Sequence, residues 1–387
     1  MSSLYACGGE ERVVSLMVNE WAKQHEVTIF TFENRENEGN RNGYYLSDKI
    51  EVKRVYNLPD NIFRKIIKFL YYYTGMTPGP LSQSLLKWAF YSQCWLDEWN
   101  KRLQKENFDV VIAISGLYTM LLGYIADDIT AKTISWEHSS YEGYFDSKRG
   151  YYRNRSELYR ECAQRLDNVV VLNEDISRKY KENLNLRTTV IYNPKSFESS
   201  EKADMGQKLF ITCGRLEPEK SYDDMIRAFY YFQQESSDWK LMIIGGGSLH
   251  KSLEKQVQDY GIADKVIITG YIHDVGRRLR EGSVFLMTSR WEGFPMSVTE
   301  ALETGLPVIS YNIPAMKPLV TDGVEGRLVS AFENKELVEA MKELAYDEGK
   351  RKRMSEAAIQ KAARLSPENI AKEWDKLFDM DKEATLC

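Results

Sequence analysis

Residues 289–302 read Ser-Arg-Trp-Glu-Gly-Phe-Pro-Met-Ser-Val-Thr-Glu-Ala-Leu, and residues 305–309 read Gly-Leu-Pro-Val-Ile. The apolar run at 284–287 predicts a buried strand that ends just before this stretch. A helix is predicted to begin at about Ser297, after the Gly-Phe-Pro turn, and to end at Gly305. Strand, short loop and helix in this order are typical of an α/β fold with a parallel sheet.

Two carboxylates stand on either side of the predicted helix start. Glu292 lies in the loop, and Glu300 lies about one turn into the helix. The backbone N–H groups between them attract anions such as a pyrophosphate, because they sit at the positive end of the helix dipole. Carboxylates accept hydrogen bonds from paired hydroxyls, so the pattern predicts a site for a sugar, a diphosphate and a ribose. That combination is a nucleotide-sugar.

The same residues carry a family resemblance. The pair Glu292 and Glu300, in the context Glu-Gly-Phe-Pro-Met-Ser-Val-Thr-Glu-Ala-Leu, resembles the E-x7-E signature of retaining glycosyltransferases with the GT-B fold, closest to family 4. The resemblance implies two Rossmann-like, doubly wound domains that face each other across a cleft. It also implies that the C-terminal domain binds the donor and the N-terminal domain binds the acceptor.

Length and composition agree with two soluble domains. The chain has 387 residues, 43% of them hydrophobic and 28% charged. Its net charge of -5 argues against a general nucleic-acid-binding protein. No apolar run approaches the roughly 20 residues of a membrane-spanning helix, and charges at residues 10–12 argue against a signal peptide. The expected location is the cytoplasm, including the inner face of the membrane.

Neither a cofactor nor a metal site is predicted. The five cysteines are scattered without a C-x-x-C pair, and the four histidines form no H-x-x-x-H pattern. This distribution excludes a zinc site of the usual spacing and favours a reducing compartment. The nucleotide-sugar is expected as a substrate, and any metal would arrive with it.

Strand-length and helix-length segments alternate along the chain, which favours parallel sheets. A helix is predicted over 11–23. Strands are predicted at 27–32, 108–115, 132–136, 168–172 and 188–192 in the first half, and at 208–213, 240–244, 265–269, 284–287, 307–310 and 326–329 in the second.

Three parts of the chain are predicted. Asn193-Pro194 suits a linker, because proline favours extended backbone around it, although a turn at the end of a strand explains the pair equally well. The predicted boundaries are 1–194 for the acceptor-side domain, 195–365 for the donor-binding domain, and 366–387 for a helix that, by resemblance, crosses back to the first domain. Residues 3–7 predict at most a short first strand, where similar proteins begin with a longer one.

Two features of the first half are expected at the site. Gly8 and Gly9 precede the first helix, and backbone without Cβ atoms can approach a ligand closely. His138 follows a predicted strand, at the edge where α/β sheets bind ligands. The resemblance places Gly8 and Gly9 at the donor phosphates and the acceptor, and His138 near the C6 hydroxyl of the transferred sugar.

The second half begins with Cys-Gly-Arg-Leu-Glu-Pro-Glu-Lys-Ser at residues 213–221, which supplies two cations, Arg215 and Lys220. A planar guanidinium and an ammonium can stabilise the charge that develops on a departing diphosphate. Ser221 and Asp224 are predicted to form a capping box at the next helix.

Two further loops follow predicted strands of the second half. The glycines at 245–247 either face the donor or serve the loop itself, since the G-x-G-x-x-G spacing is absent. By resemblance, residues 271–273 contact the base through backbone, with Ile272 at the centre.

The predicted site residues are therefore as follows. The catalytic set is His138, Arg215, Lys220 and Glu292; the donor-binding set is Gly8, Gly9, Arg215, Lys220, Ile272, Glu292, Gly293, Phe294, Pro295, Met296, Ser297 and Glu300.

The acceptor side offers one feature. Residues 61–73 are basic and strongly apolar, like an interfacial helix that meets anionic headgroups, although packing on their own domain explains them equally well.

The predicted function is a metal-independent, retaining transfer of a hexose-type sugar from a nucleotide-sugar to a saccharide or lipid-linked acceptor, in surface polysaccharide or glycolipid synthesis. The expected donor is a UDP-sugar rather than a GDP-sugar. The alternatives are a nucleotide-sugar 2-epimerase of the same fold and a non-catalytic nucleotide-sugar-binding protein. Turnover with an acceptor would distinguish them.

Overall fold

The computed structural model describes residues 8–32, 44–56, 61–74, 80–146, 150–235 and 238–379. The chain divides into two compact units. Unit 1 contains Met1–Tyr192 and Ile370–Cys387, and unit 2 contains Asn193–Asn369. The predicted short strand at residues 3–7 lies outside the described residues.

Unit 1 combines parallel strands with helices on their faces. Its elements, in chain order, are α1 (Gly9–Trp21), β1 (Thr28–Thr31), β2 (Glu51–Arg54), α2 (Ile62–Thr74), α3 (Pro80–Phe90), α4 (Gln93–Glu106), β3 (Val110–Ile114), α5 (Gly116–Ile125), β4 (Lys132–Trp136), α6 (Ser156–Ala163), β5 (Asn168–Val171), α7 (Glu174–Leu184), β6 (Thr189–Val190) and most of α14 (Pro367–Asp379). Short 3-10 and π turns lie at Ala126–Asp128 and Glu142–Asp146.

The strands that the structure describes in unit 1 form two separate parallel sheets. One consists of β1 and β2, and the other runs in the order β3-β4-β5-β6. A cavity of about 660 Å³ is lined by Ile29 of β1, Ile112 of β3 and Trp99 of α4, among other residues. β2 was missed by the sequence analysis because Glu51–Arg54 carries a single apolar side chain, Val52.

An aromatic cluster attaches the last helix to this unit. Trp374 of α14 is fully buried, and its ring centroid lies 5.3 Å from that of Trp21 and 4.9 Å from that of Trp136. Edge-to-face contacts of this kind add to the stabilisation from apolar burial. Helix α14 therefore packs beside α1 and β4.

Unit 2 is also an α/β unit, with a parallel sheet and helices between its strands. Its elements are β7 (Leu209–Cys213), α8 (Tyr222–Gln233), β8 (Lys240–Ile244), α9 (His250–Asp259), β9 (Val266–Ile268), α10 (Val275–Leu279), β10 (Val284–Met287), α11 (Met296–Glu303), β11 (Val308–Tyr311), β12 (Gly326–Val329), α12 (Asn334–Tyr346) and α13 (Glu348–Ala363), with 3-10 turns at Pro218–Lys220 and Pro314–Met316.

The six strands of unit 2 lie in the order β12-β11-β10-β7-β8-β9, and every pairing is parallel. The chain moves from β7 to β8 and β9 on one side, then returns to β10, β11 and β12 on the other. The loops after β7 and β10 therefore diverge, which leaves a crevice at the carboxyl end of this strand pair. The α/β class expected from the sequence is confirmed. Among the described residues, no helix is both long enough and apolar enough to cross a membrane.

Candidate active site

The crevice at the ends of β7 and β10 contains Lys220, Glu292 and Glu300, three of the predicted site residues. Strand β10 is buried along its whole length, and α11 begins at Met296, one residue before the predicted start. Gly305 follows α11 with a φ of 81°, the left-handed conformation that ends many helices. The predicted strand, loop and helix are all present.

Lys220 and Glu292 form an ion pair in the crevice. Lys220 Nζ donates to Glu292 Oε1 at 2.6 Å, and both side chains are mostly buried. The Thr288 hydroxyl at the end of β10 donates to the carbonyl oxygens of Lys220 (3.0 Å) and Ser221 (2.9 Å), which fixes the backbone that carries the lysine. Partial burial strengthens the attraction between the two charges. The pair is thus a positioned cation with an acid beside it.

Arg215 lies in the same loop but extends into solvent. Its side chain is 72% exposed, and Nη2 lies 3.2 Å from Glu219 Oε1. The Glu219 carbonyl accepts from the backbone N–H of Arg290 at 2.8 Å, so the loops after β7 and β10 are joined here. An exposed guanidinium in this position can turn towards an anion at small cost, because exposed ion pairs contribute little.

Glu300 occupies a different position from Glu292. It lies on α11, is 4% exposed, and accepts from the thiol of Cys213, whose Sγ is 3.8 Å from Oε2. Cys213 is the last residue of β7. Glu292 therefore lies beside Lys220, and Glu300 lies beside the end of β7.

The N-terminus of α11 carries no side-chain cap. Pro295 occupies the N-cap position and makes no side-chain cap. The Val298 N–H donates to the Pro295 carbonyl at 3.0 Å. The predicted donor-binding residues Gly293, Phe294, Met296 and Ser297 flank this helix start. First-turn N–H groups without an internal acceptor are a ready site for an anion.

The predicted capping box at α8 is wrong. Ser221 has a φ of 50°, and its hydroxyl makes no cap to the backbone. The hydroxyl instead donates to Asp224 Oδ2 at 2.9 Å. The left-handed backbone at Ser221 turns the chain sharply from the Lys220 turn into α8, so the side chain no longer points at the helix amides.

The glycines at 245–247 serve the loop itself. A Cβ atom on Gly245 would lie 1.9 Å from the carbonyl oxygen of Gly214, and one on Gly247 would lie 2.5 Å from that of Leu216. The backbones after β7 and β8 bond directly, with Leu216 N donating to Gly246 O at 2.9 Å. Only glycine permits this approach, and the contact supports the loop that carries Arg215.

Ile272 lies in the loop between β9 and α10. Gly270, with a φ of 70°, accepts from the Gly245 N–H at 3.0 Å, and Asp274 caps α10 through the Arg277 N–H. Ile272 is half-buried between them, beside an exposed Tyr271. The assignment of Ile272 to the base stays a prediction.

Unit 1 has its own cluster at the ends of β3 and β4. Gly8 is the N-cap of α1, and Gly9 is its exposed first residue. The Gly8 carbonyl accepts from the Tyr44 hydroxyl at 3.2 Å. Glu10, which follows Gly9, accepts a hydrogen bond from the hydroxyl of Ser115. Burial raises the pKa of the Glu10 carboxyl. The sequence analysis gave neither Glu10 nor Ser115 a role.

His138 follows β4 in this unit. Its ring packs on that of Trp136 with centroids 4.4 Å apart, and its Nε2 has no hydrogen-bond partner among the described residues. Burial lowers the pKa of the imidazole to about 3, so the ring is neutral at physiological pH. A neutral ring can donate or accept one hydrogen bond, which fits the predicted contact with a sugar hydroxyl.

Glu137 is the second acidic residue that lacked an assigned role. It is fully buried, and its Oε1 accepts from the hydroxyls of Thr119 (2.6 Å), Ser135 (2.7 Å) and Tyr159 (2.7 Å). Burial raises the pKa of this carboxyl. The three hydroxyls fix the backbone next to His138. The signal in the sequence was a charged residue directly after an apolar strand.

Comparisons with known proteins match nearly the whole chain. The family described as Glycosyltransferase Family 4 matches residues 7–195, and the family described as Glycosyl transferases group 1 matches residues 194–361. An uncharacterized glycosyltransferase of Haemophilus influenzae is 25% identical over 95% of this chain and 96% of its own length. The Campylobacter jejuni enzyme GalNAc-alpha-(1->4)-GalNAc-alpha-(1->3)-diNAcBac-PP-undecaprenol alpha-1,4-N-acetyl-D-galactosaminyltransferase is 26% identical over 97% of this chain and 96% of its own length.

Among solved structures, HepE of Anabaena in complex with UDP has a TM-score of 0.75 and 17% identity, and covers 98% of both chains. At that identity the likeness establishes the fold. Fold and family agree with the resemblance noted in the sequence. The chain therefore belongs to the GT-B glycosyltransferases of the family 4 type.

Proposed function

We propose that the chain transfers a sugar from a nucleotide-sugar to a saccharide or lipid-linked acceptor. The preferred donor is a UDP-sugar rather than a GDP-sugar. The transfer retains the anomeric configuration and needs no metal. The observation that carries this proposal is the Lys220–Glu292 pair, with its 2.6 Å contact at the point where the strand order of unit 2 reverses. A fixed cation next to an uncapped helix start suits a diphosphate, and the acid beside it suits sugar hydroxyls.

In the proposed reaction the bond between the sugar C1 and the diphosphate oxygen breaks, and the acceptor oxygen bonds to C1 from the same face. The acceptor proton passes to a phosphate oxygen of the leaving group. Lys220, Arg215 and the first-turn amides of α11 neutralise the charge that develops on the diphosphate. Glu292 holds hydroxyls of the transferred sugar, and Glu300 holds the ribose diol. The catalytic work is positioning and electrostatic stabilisation.

The comparisons support the substrate classes. The printed name of the Campylobacter relative gives a saccharide on PP-undecaprenol as its acceptor, and the Anabaena structure holds UDP. By analogy we assign this chain to polysaccharide or glycolipid synthesis. In unit 1, we place the acceptor near His138 and the cluster of Gly8, Gly9, Glu10 and Ser115.

The test is a turnover assay with purified protein, a panel of UDP- and GDP-sugars and a lipid-linked saccharide acceptor. We expect one UDP-sugar to be consumed, a product whose NMR coupling constants show the anomeric configuration of the donor, and the same rate with and without a chelator. An inverted product would refute retention, and a rate abolished by chelator and restored by Mg²⁺ would refute metal independence. Epimerised donor without transfer would indicate the epimerase instead.

A further inference from the structure

Ser115, directly after β3, adopts a backbone conformation that is almost confined to glycine. Its φ is 69° and its ψ is 153°, a combination that strains any residue with a Cβ atom. The neighbouring backbone holds it there. The Ser115 N–H donates to the Trp136 carbonyl at 3.0 Å, and the Ser115 carbonyl accepts from the N–H groups of Tyr118 (3.0 Å) and Thr119 (3.1 Å). Strain that is maintained in this way is concentrated at functional sites.

The hydroxyl of Ser115 is directed at an acid instead of the helix that follows it. Ser115 is the N-cap residue of α5, where a serine side chain normally accepts from the first amides, yet it makes no such cap. Its hydroxyl donates to Oε2 of Glu10, in the first turn of α1. The strained backbone therefore serves the contact with Glu10.

Glu10 belongs to a polar cluster with an open hydrogen-bonding position. Burial and the neighbouring charges, Glu10 among them, raise the pKa of the Tyr144 phenol. The Tyr144 hydroxyl accepts from the backbone N–H of His138 at 3.2 Å. Glu10, Tyr144 and His138 are thus neighbours at the carboxyl ends of β3 and β4. In the part of the chain that the structure describes, the buried Nε2 of His138 has no hydrogen-bond partner, and such an atom calls for a ligand or an ordered water.

The charge of Glu10 determines which ligand this cluster fits. A helix N-terminus attracts anions, but at α1 Glu10 itself supplies negative charge in the first turn. A phosphate beside Gly8 and Gly9 would be repelled by it. A carboxylate accepts hydrogen bonds from hydroxyls, and Ser115 uses only one of its two oxygens. A neutral imidazole donates or accepts one more. The cluster therefore fits the hydroxyls of an uncharged sugar.

We propose that Glu10 is a specificity-determining residue of the acceptor site. It accepts a hydrogen bond from a hydroxyl of the acceptor's terminal sugar, and it excludes a terminal sugar that carries a carboxylate or a phosphate. Ser115 is a positioning residue that holds the Glu10 carboxylate in place. The inference rests on the proposed function, because the sugar of the donor is assigned there to Glu292. Glu10 takes no part in the proton transfer, which ends on the leaving phosphate.

The test is calorimetric titration of the full chain, in the presence of UDP, with octyl glycosides of glucose, galactose, N-acetylglucosamine and N-acetylgalactosamine. Octyl glucuronide and octyl galacturonide are the charged counterparts. We expect at least one neutral glycoside to bind more tightly than either charged one. Glu10→Gln keeps an oxygen for the Ser115 hydroxyl and removes the charge. It should weaken binding of the neutral glycoside roughly 5- to 30-fold and abolish the preference over the charged glycosides. The affinity for UDP should not change.

A second variant separates substrate binding from packing. Glycine adopts the backbone angles of Ser115 without strain, so in Ser115→Gly the relief of strain offsets the lost hydrogen bond. The melting temperature should stay close to that of the unchanged chain, while the affinity for the neutral glycoside falls about fivefold. The matched control is Glu20→Gln, because Glu20 lies further along α1 and pairs with Lys23 at 2.6 Å. Its glycoside binding should equal that of the unchanged chain.

The proposal is overturned if UDP binds but no neutral glycoside does, or if Glu10→Gln changes neither the affinity nor the preference. It is also overturned if Glu10→Gln and Ser115→Gly lower the melting temperature without changing glycoside binding, because the pair then only attaches α1 to β3. Failure of the proposed function has a different signature. Glycoside binding that depends on Glu10, in a chain that consumes no nucleotide-sugar, would support this inference and refute the transfer.

Discussion

Replacing Lys220 with methionine should separate catalysis from stability. The change removes the ammonium that lies 2.6 Å from Glu292 Oε1 and keeps a chain of similar length. Glu292 is only 14% exposed, so it would be left as a mostly buried charge without its cation. We expect the free energy of unfolding to fall by about 1–3 kcal/mol, the usual cost of an unpaired buried polar or charged group.

The effect on turnover should be larger than this. Loss of one positioned donor from an oxyanion-type site costs about 2–4 kcal/mol of transition-state stabilisation, which corresponds to a fall in kcat/KM of roughly 30- to 1000-fold. The assay is initial-rate turnover of the donor, well below the melting temperature, with urea unfolding measured on the same preparation. The two measurements then report separate free energies.

The double variant Lys220→Met/Glu292→Gln distinguishes the two roles. Neutralising Glu292 removes the unpaired charge, so stability should return to near that of the unchanged chain. Activity should stay at or below that of the single variant, because the leaving diphosphate still lacks its cation. Recovery of activity together with stability would show that the pair is structural, and the proposed role of Lys220 would be refuted. The matched control is Lys208→Met, because Lys208 pairs with Asp238 at 2.7 Å on an exposed surface and should affect neither quantity.

Three further outcomes are expected. Arg215→Ala should change the free energy of unfolding by less than about 0.5 kcal/mol, because the side chain is 72% exposed. The same variant should lower kcat/KM by roughly 30- to 1000-fold. An unchanged kcat would contradict the proposed role of Arg215. The pKa of His138 is about 3 in the folded chain and 6.5 in the unfolded chain, so between these pH values the unfolded chain binds one more proton and the free energy of unfolding falls as the pH is lowered. Urea unfolding of His138→Gln at several pH values should show a smaller fall than the unchanged chain. Equal falls would contradict the lowered pKa of His138. Arg64→Met should lower the free energy of unfolding by about 1–3 kcal/mol, because the buried Arg64 donates to the carbonyls of Ala89 (2.8 Å) and Trp88 (3.0 Å), and both would lose a charged donor. An unchanged urea midpoint would refute this.

Much of the fold was predictable because its signals are local. The strands at 132–136, 240–244, 284–287 and 326–329 have the predicted bounds. The segments 240–244 and 284–287 are almost wholly apolar, which makes their strand signal strong. Strand β2 was not predictable in this way. Glu51–Arg54 has little apolar character, and its place is fixed by pairing with β1, in which Thr28 lies opposite Glu51.

The elements that carry the candidate site in unit 2 were predictable for the same reason. The stretch around Glu292 and Glu300 is contiguous, so its strand, loop and helix could be inferred together. The contact between Glu10 and Ser115 joins residues 105 positions apart and depends on the packing of α1 beside β3. The failed cap at Ser221 has a backbone cause, because a φ of 50° is rare for serine and no propensity anticipates it.

The central claim is that unit 2 holds a departing diphosphate between Lys220 and the N-terminus of α11. The most direct measurement is a crystal structure of the full chain with UDP bound. We expect a phosphate oxygen within about 3 Å of Lys220 Nζ, the usual length of a charge-assisted hydrogen bond, and the diphosphate beside the first-turn amides of α11. A complex in which UDP lies elsewhere, with Lys220 touching only Glu292, would contradict the claim.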